Sequence, residues 1–301
     1  MSDITVRQLE YFLAVVDYGS ISASSRALHI SQAAVSMAVQ QLEGSLNAQL
    51  LSRSPARRAT TTPAGDSLIP YARRVIAAIN DAAAVVQDDQ SRMRGTLRLE
   101  VTASISPHVV PPLITHFHKH HPQVTIEVAE SRPAELYDFI RRGNADLGLL
   151  YQRQTHPGVT TTTVHEIHPY VVVAANHPLA DRSSIYLADL IDEPLIPVDI
   201  PPSMERITEA IAGVGLTPKI QWPSSNYETV RSMVAHGLGW SYFNLIPSSY
   251  VAYDGREVRY IPVADTTPHN AIVAVEQPDP TRSAKVETAI EFLRQHLEMH
   301  N

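Results

Sequence analysis

The sequence predicts an α/β protein in three parts: an all-helical head, one long helix, and two α/β units. Three observations point there. The first 60 or so residues carry short helical patterns and no extended run. Pro63 to about Met93 then holds one unbroken helical pattern. From Leu97 onward, apolar runs of strand length alternate with helical stretches. At 301 residues the chain is long enough for two or more cores.

In the head, Thr5-Val-Arg-Gln8 has capping-box spacing and Leu9, Phe12, Leu13 and Val16 follow as a helical stripe. Gly19 ends the connection and Ser20 opens the next unit. Ser22 to Leu28, rich in Ala and Ser, is a second helix that can pack closely on a neighbour. A third begins at Ser31, a good N-cap, and Val35, Val39, Leu42 and Leu46 draw one apolar stripe along it. Once that stripe is buried, Gln32, Ser36, Met37 and Gln40 face outward. Amides and hydroxyls on a short exposed helix suit the major groove of DNA, where they reach base edges. Between Ser20 and Thr62 the basic residues are Arg26, Arg53, Arg57 and Arg58 and the acidic one is Glu43. This local net charge of +3, in a chain of −7, suits a phosphate-facing patch. Taken alone, the spacing also fits three packed helices of an unrelated core.

The long helix steps through Leu68, Ala72, Val75, Ile79, Ala82 and Val86 at intervals of 4 and 3, a heptad seam. About 28 residues at 1.5 Å each make a rod of roughly 40 Å. As a dimer coiled coil, with Ala72 and Ala82 permitting close approach, it would hold two heads apart to meet two half-sites. Folded against its own domain, it would be an ordinary amphipathic helix. Pro70 falls in its first turns, where a missing N–H costs little.

Beyond Gly95, the extended runs 97–101, 124–128 and 146–150 alternate with helices over 107–120 and 134–142, the pattern of a parallel sheet. Tyr170 to Ala175 reads as a central strand. A second set follows: a run at 195–198, a helix over 203–213, a run at 219–222, a helix over 226–236 and a run at 239–243. A strand at 271–275 and a helix over 283–300 close the chain. Ligands in such sheets bind at the carboxyl ends of strands, beside helix starts. Those places carry Thr102, Ala103 and Ser104; Ser131; and Pro201, Pro202 and Ser203, with Asn226 and Phe243 as weaker candidates. Hydroxyls and free N–H groups there suit a small anion such as a carboxylate. Serines at helix starts are also ordinary N-caps.

The order Ala27-Leu28-His29-Ile30-Ser31-Gln32, then Val35-Ser36, Leu42-Glu43, Leu50, Arg53 and Thr62-Pro63-Ala64-Gly65, resembles the N-terminal winged helix-turn-helix of LysR-type transcriptional regulators. The resemblance runs to the C-terminus. It departs at Ser24 and Ser25, where two alanines are common, and at Ala33, Met37, Asn47 and Leu51, where proline, arginine, glycine and phenylalanine are frequent. It implies a DNA-binding domain over 1–65, a linker and dimerisation helix over 66–93, and an effector-binding domain over 94–301. The last would be two-lobed and periplasmic-binding-protein-like, with lobe I about 94–166 and 268–301 and lobe II about 167–267. The implied partners are a double-stranded DNA operator, a small-molecule effector in the interlobe cleft, and the chain itself, as a homodimer through the linker helix and a homotetramer. RNA polymerase is a further candidate. Operator contacts fall to Ser31, Gln32, Ser36, Met37, Gln40, Arg53, Arg57 and Arg58, with Ser31 and Arg53 on phosphate and the last two in the wing.

Other classes fare worse. No nucleophile elbow, P-loop or dinucleotide fingerprint appears, so neither an enzyme nor a cofactor is expected. Without cysteine there is no disulfide or thiolate metal site. His116 and His120 share a helix face, yet histidines near a helix C-terminus also suit its dipole, and no metal is expected. The N-terminus lacks a secretory pattern and no run nears the roughly 20 apolar residues that span a bilayer, so the expected place is the cytoplasm, away from membranes. The rival from another class is a solute-binding module whose first 90 residues serve only dimerisation.

Overall fold

The computed structural model describes residues 4–52, 59–86, 93–247, 249–278 and 282–299. The head is built on α1 (Val6–Tyr18), α2 (Ile21–Ala27) and α3 (Gln32–Leu46), followed by a two-stranded hairpin of β1 (Leu51–Ser52) and β2 (Thr60–Thr61). Each helix starts on a side-chain cap, at Thr5 and Ser31 as the sequence placed it and at Ser20 for α2, which begins one residue earlier than expected. The Thr5, Ser20 and Ser31 side chains accept from the N–H groups of Gln8, Ala23 and Ala34. Leu9, Phe12, Leu13 and Val15 of α1 pack on Val35, Val39 and Leu42 of α3 to form the head's core.

The departures from the LysR pattern have local reasons. Ser24 and Ser25 are buried, and their hydroxyls donate to the carbonyls of Ile21 and Ser22, so polar atoms sit in the core without an unmet bond. Asn47 ends α3 in the left-handed region at φ 49°, which asparagine tolerates better than other non-glycine residues.

The long helix α4 (Pro63–Val86) begins against the hairpin. The Thr62 hydroxyl accepts from the Gly65 N–H and donates to the Gln49 carbonyl, and a Cβ at Gly65 would run into the Leu50 carbonyl. The apolar seam divides. Ile69 and Ala72 are buried in the head's core, with Leu68 and Ile76 half-buried beside them. Val75 and Ile79 are 42% and 44% exposed. Ala72, expected to face a second helix, instead packs within its own chain because α1 reaches it first.

Two α/β units follow. The first is a five-stranded sheet in the order β4-β3-β5-β12-β6, made of β3 (Gly95–Val101), β4 (Val124–Glu130), β5 (Leu147–Tyr151), β6 (Thr160–Ile167) and β12 (Asn270–Glu276). It carries α5 (Ser106–His120), α6 (Pro133–Arg141) and α9 (Ala284–Met299). β3, β4 and β5 are parallel as expected, but β12 runs antiparallel to both β5 and β6, because the chain re-enters this sheet from the second unit rather than over a helix. In the second unit β7 (Tyr170–Ala174) is the centre of an antiparallel trio with β10 (Ser241–Phe243) and β11 (Val258–Pro262). The short parallel pair β8 (Pro194–Leu195) and β9 (Lys219–Ile220) joins it through Trp240. The helices α7 (Ser203–Gly213) and α8 (Tyr227–Ala235) cover this unit. Two connections pass between the sheets, 168–169 and 263–269.

The head rests on the first unit. The Asp17 carboxylate meets Arg73 of α4 at 2.7 Å and Arg98 of β3 at 3.5 Å. Gly143, at φ +66°, lies against Pro70, where a Cβ would stand 2.6 Å from the proline Cα.

Gly65→Ala should destabilise the head by about 1–3 kcal/mol, the usual cost of overpacking, read as a lowered thermal or urea midpoint. An unchanged midpoint would contradict the close approach of α4 to the hairpin.

Candidate nucleic-acid interface and interlobe cleft

With its apolar stripe buried, α3 presents Gln32, Met37 and Gln40 to solvent and leaves Ser36 half-buried; Met37 is 57% exposed. The Ser31 oxygen accepts the cap hydrogen bond at 3.1 Å, which leaves its O–H able to donate outward. Gln32 Nε2 donates to Ser22 Oγ at 3.4 Å, steadying that amide against α2. Arg26 is exposed on the neighbouring α2. Glu43, the one acid in the patch, accepts from the N–H groups of Leu50 and Leu51 at 2.7 and 3.1 Å. Its charge is thereby drawn to the hairpin backbone, a role that charge counting did not reveal. Arg53, Arg57 and Arg58 lie between β1 and β2, outside the described residues.

Between the two units lies a cavity of about 280 Å³, near the small end of ligand pockets. Ala103 and Ser104, just beyond β3, line it from one side, and Ser203 and Phe243 from the other. The Ser104 hydroxyl stands near the phenols of Tyr151 and Tyr227, Ser203 stands near the same Tyr227, and Asn244 near Tyr151. Tyr227 thus has a serine of each unit beside it in the cleft. Burial raises both phenols above the ordinary tyrosine range, so they stay neutral and able to donate.

The other expected residues stand elsewhere. Thr102 is buried behind the cavity wall. Ser131 donates to the Glu100 carboxylate, whose pKa burial holds above the ordinary carboxylate range although this hydrogen bond works the other way. Asn226 caps α8 through the N–H groups of Glu228 and Thr229 and borders a shallower depression. Pro201 and Pro202 precede α7 without reaching the cavity.

Several lining residues were missed by sequence reasoning. Tyr151 ends β5 as Ser104 follows β3, so the strand-end rule applied to a third strand would have found it. Arg206 lies one turn along α7 from Ser203 and Arg153 two residues past β5, without a pattern to mark either. His108 also faces the cavity, and burial lowers its pKa. Arg231, 4% exposed, pairs with Glu228 and donates to the carbonyls of Ser249 and Val251 at 2.7 and 3.2 Å.

The histidines near the end of α5 pack as an aromatic layer. His116 stacks on Phe292 at 4.2 Å between centroids and tilts against His120 at 4.8 Å. Among the described residues no group of three His, Cys, Asp or Glu could hold a metal ion, and no helix is long and apolar enough to cross a membrane.

Residues 6–66 match the bacterial regulatory helix-turn-helix proteins of the lysR family, and residues 90–298 match the LysR substrate binding domain. The chain belongs to the LysR family of transcriptional regulators. It is similar to the HTH-type transcriptional regulator CysL of Bacillus subtilis, 29% identical over 77% of this chain and 78% of CysL. Among solved structures it is similar to HinK, a LysR family regulator from Pseudomonas aeruginosa, at 28% identity and TM-score 0.64 over 98% of this chain and 99% of that one. CbnR, solved with its target DNA, is 21% identical with TM-score 0.56 over 97% and 99%, and shows the shared fold. This LysR-type regulator is thus a DNA-binding protein with an effector-binding domain rather than an enzyme.

Because burial lowers His108, its neutral form prevails in the folded chain and the unfolded chain binds more protons near pH 6. The stability this contributes is present above the unfolded value of about 6.5 and is lost as pH falls toward the folded value. His116 and His165 are shifted the same way. Melting temperature should therefore fall on acidification from pH 7.5 to 5.5, and His108→Gln should flatten part of that slope. A slope unchanged in the variant would contradict the burial.

Proposed function

We propose that this regulator reads a dyad-symmetric operator with paired α3 helices and senses a small molecule in the interlobe cleft. The observation that carries the reading is the outward amide and hydroxyl face of α3, beside a hairpin whose tip sequence holds three arginines. Gln32, Ser36, Met37 and Gln40 face base edges, where the Met37 thioether suits a thymine methyl rather than a phosphate. Ser31 and Arg53 take phosphate, and Arg57 and Arg58 serve the wing. The divisions that go with this reading are 1–65, 66–93 and 94–301. Its setting is the cytoplasm, and contact with RNA polymerase belongs to the same proposal.

Pairing follows from α4. Val75 and Ile79 leave an apolar face uncovered in one chain, and a second copy of that helix is the simplest cover for it. Two dimers joined through their effector domains would complete a homotetramer. An effector acts by binding one arrangement of the assembly better than another, which changes the spacing of the heads.

Mobility-shift titrations of operator DNA should show affinity falling steeply with salt, and Arg57→Ala should reduce the log–log slope by about one unit. Indifference to duplex DNA at low salt would overturn the operator reading and favour a solute-binding module. Sedimentation of Ile79→Glu should show smaller assemblies than the unaltered protein at equal concentration; identical assemblies would remove α4 from the interface.

A further inference from the structure

The charged groups on the cleft wall are unevenly matched. Arg231 has Glu228, with two backbone carbonyls besides. Among the described residues Arg153, from the first unit, and Arg206, from α7 of the second, share a single carboxylate: Glu209 Oε2 accepts from Arg153 at 3.3 Å and from Arg206 at 2.8 Å. Both arginines line the cavity. Arg206 Nε is buried and makes no hydrogen bond. Arg153 is held there by its own backbone, whose N–H donates to Asn270 at the start of β12. Glu209 is about half exposed, so water competes for it and the bridge between units is weak.

Two guanidinium groups facing one half-solvated carboxylate leave an excess of one positive charge beside a wall of aromatic rings. A carboxylate entering from the cleft could take donors from both guanidiniums in a drier setting than Glu209 offers. We propose that the cleft binds a small organic monoanion, its carboxylate seated between Arg153 and Arg206 in place of Glu209 and its apolar body among Tyr151, Tyr227 and Phe243. The anion seat is thus the arginine pair rather than the serine-bearing helix starts, whose neutral hydroxyls bring no charge to match the anion's. Because Arg153 and Glu209 belong to different units, the ligand exchanges a direct bridge between them for one through itself. This rests on the reading of the cleft as the effector site.

The test is calorimetric titration and thermal shift on the full chain with matched probes: phenylacetate against phenylacetamide, and hexanoate against hexanamide. An acid should bind while its amide binds at least about tenfold more weakly, Arg206→Gln and Arg153→Gln should each lose about tenfold for the acid, and Glu209→Gln, which removes the competitor, should gain severalfold. The ligand-free melting temperature of each variant checks its fold, and the acid-against-amide contrast needs no variant. Amides binding as well as acids would overturn the anion seat and leave the cleft reading standing. Acid binding indifferent to all three substitutions would place the anion elsewhere and overturn the proposal. Binding by neither series would overturn the proposal and the cleft reading together.

Discussion

The register of β3 is the constraint on which the rest of the molecule depends. It lies between β4 and β5, parallel to both, so its direction and its alternation of faces are set by hydrogen bonds on each side. Its early part presents Arg98, whose guanidinium meets Asp17 of the reading head and Glu127 of β4, while its N–H donates to Asp146. Its far end delivers Ala103 and Ser104 to the cleft. A slip of one residue would turn Arg98 into the core and Leu97 and Leu99 out of it. One strand therefore touches the head at one end and the ligand cavity at the other, a direct physical link between the two sites.

The cleft has a matching logic. Ser104, Ser203, Tyr151, Tyr227 and Asn244 stand close together there, with Tyr227 beside a serine of each unit. Arg206 Nε is buried among them without a hydrogen bond. An incoming molecule therefore meets polar groups drawn from both units at once, and its binding depends on how the units are placed.

Much of the head was legible because its determinants are local. Thr5, Ser20 and Ser31 cap the helix that immediately follows, and the stripe Val35, Val39 and Leu42 needs only the period of an α-helix. Gly65 was readable as part of a motif, though its reason, the Leu50 carbonyl against it, was not. Ala72 shows where local reasoning ends: a heptad position says that a face will be buried, and not whether the partner is a second chain or α1. The antiparallel β12 shows the same thing for the sheet, since strand direction depends on where the chain has been in the meantime.

By itself the sequence determined the helices of the head, the caps at Thr5 and Ser31, the outward Gln32, Met37 and Gln40 of α3 and the strand end that brings Ser104 to the cleft, because each of these follows from neighbours along the chain or from periodicity, while the family was legible in the motif from Ala27 to Gly65. Only the tertiary structure decided which polar residues share the cavity. Ser104 and Ser203 both stand beside Tyr227, Ser131 and Asn226 are drawn off to Glu100 and to a helix start, and Arg153 and Arg206 come together on Glu209. Arg153 and Glu209 are 56 positions apart and Ser131 and Glu100 are 31 apart, and at such separations charge and hydrogen-bond partners are chosen by the packing of the two units, which no local pattern encodes.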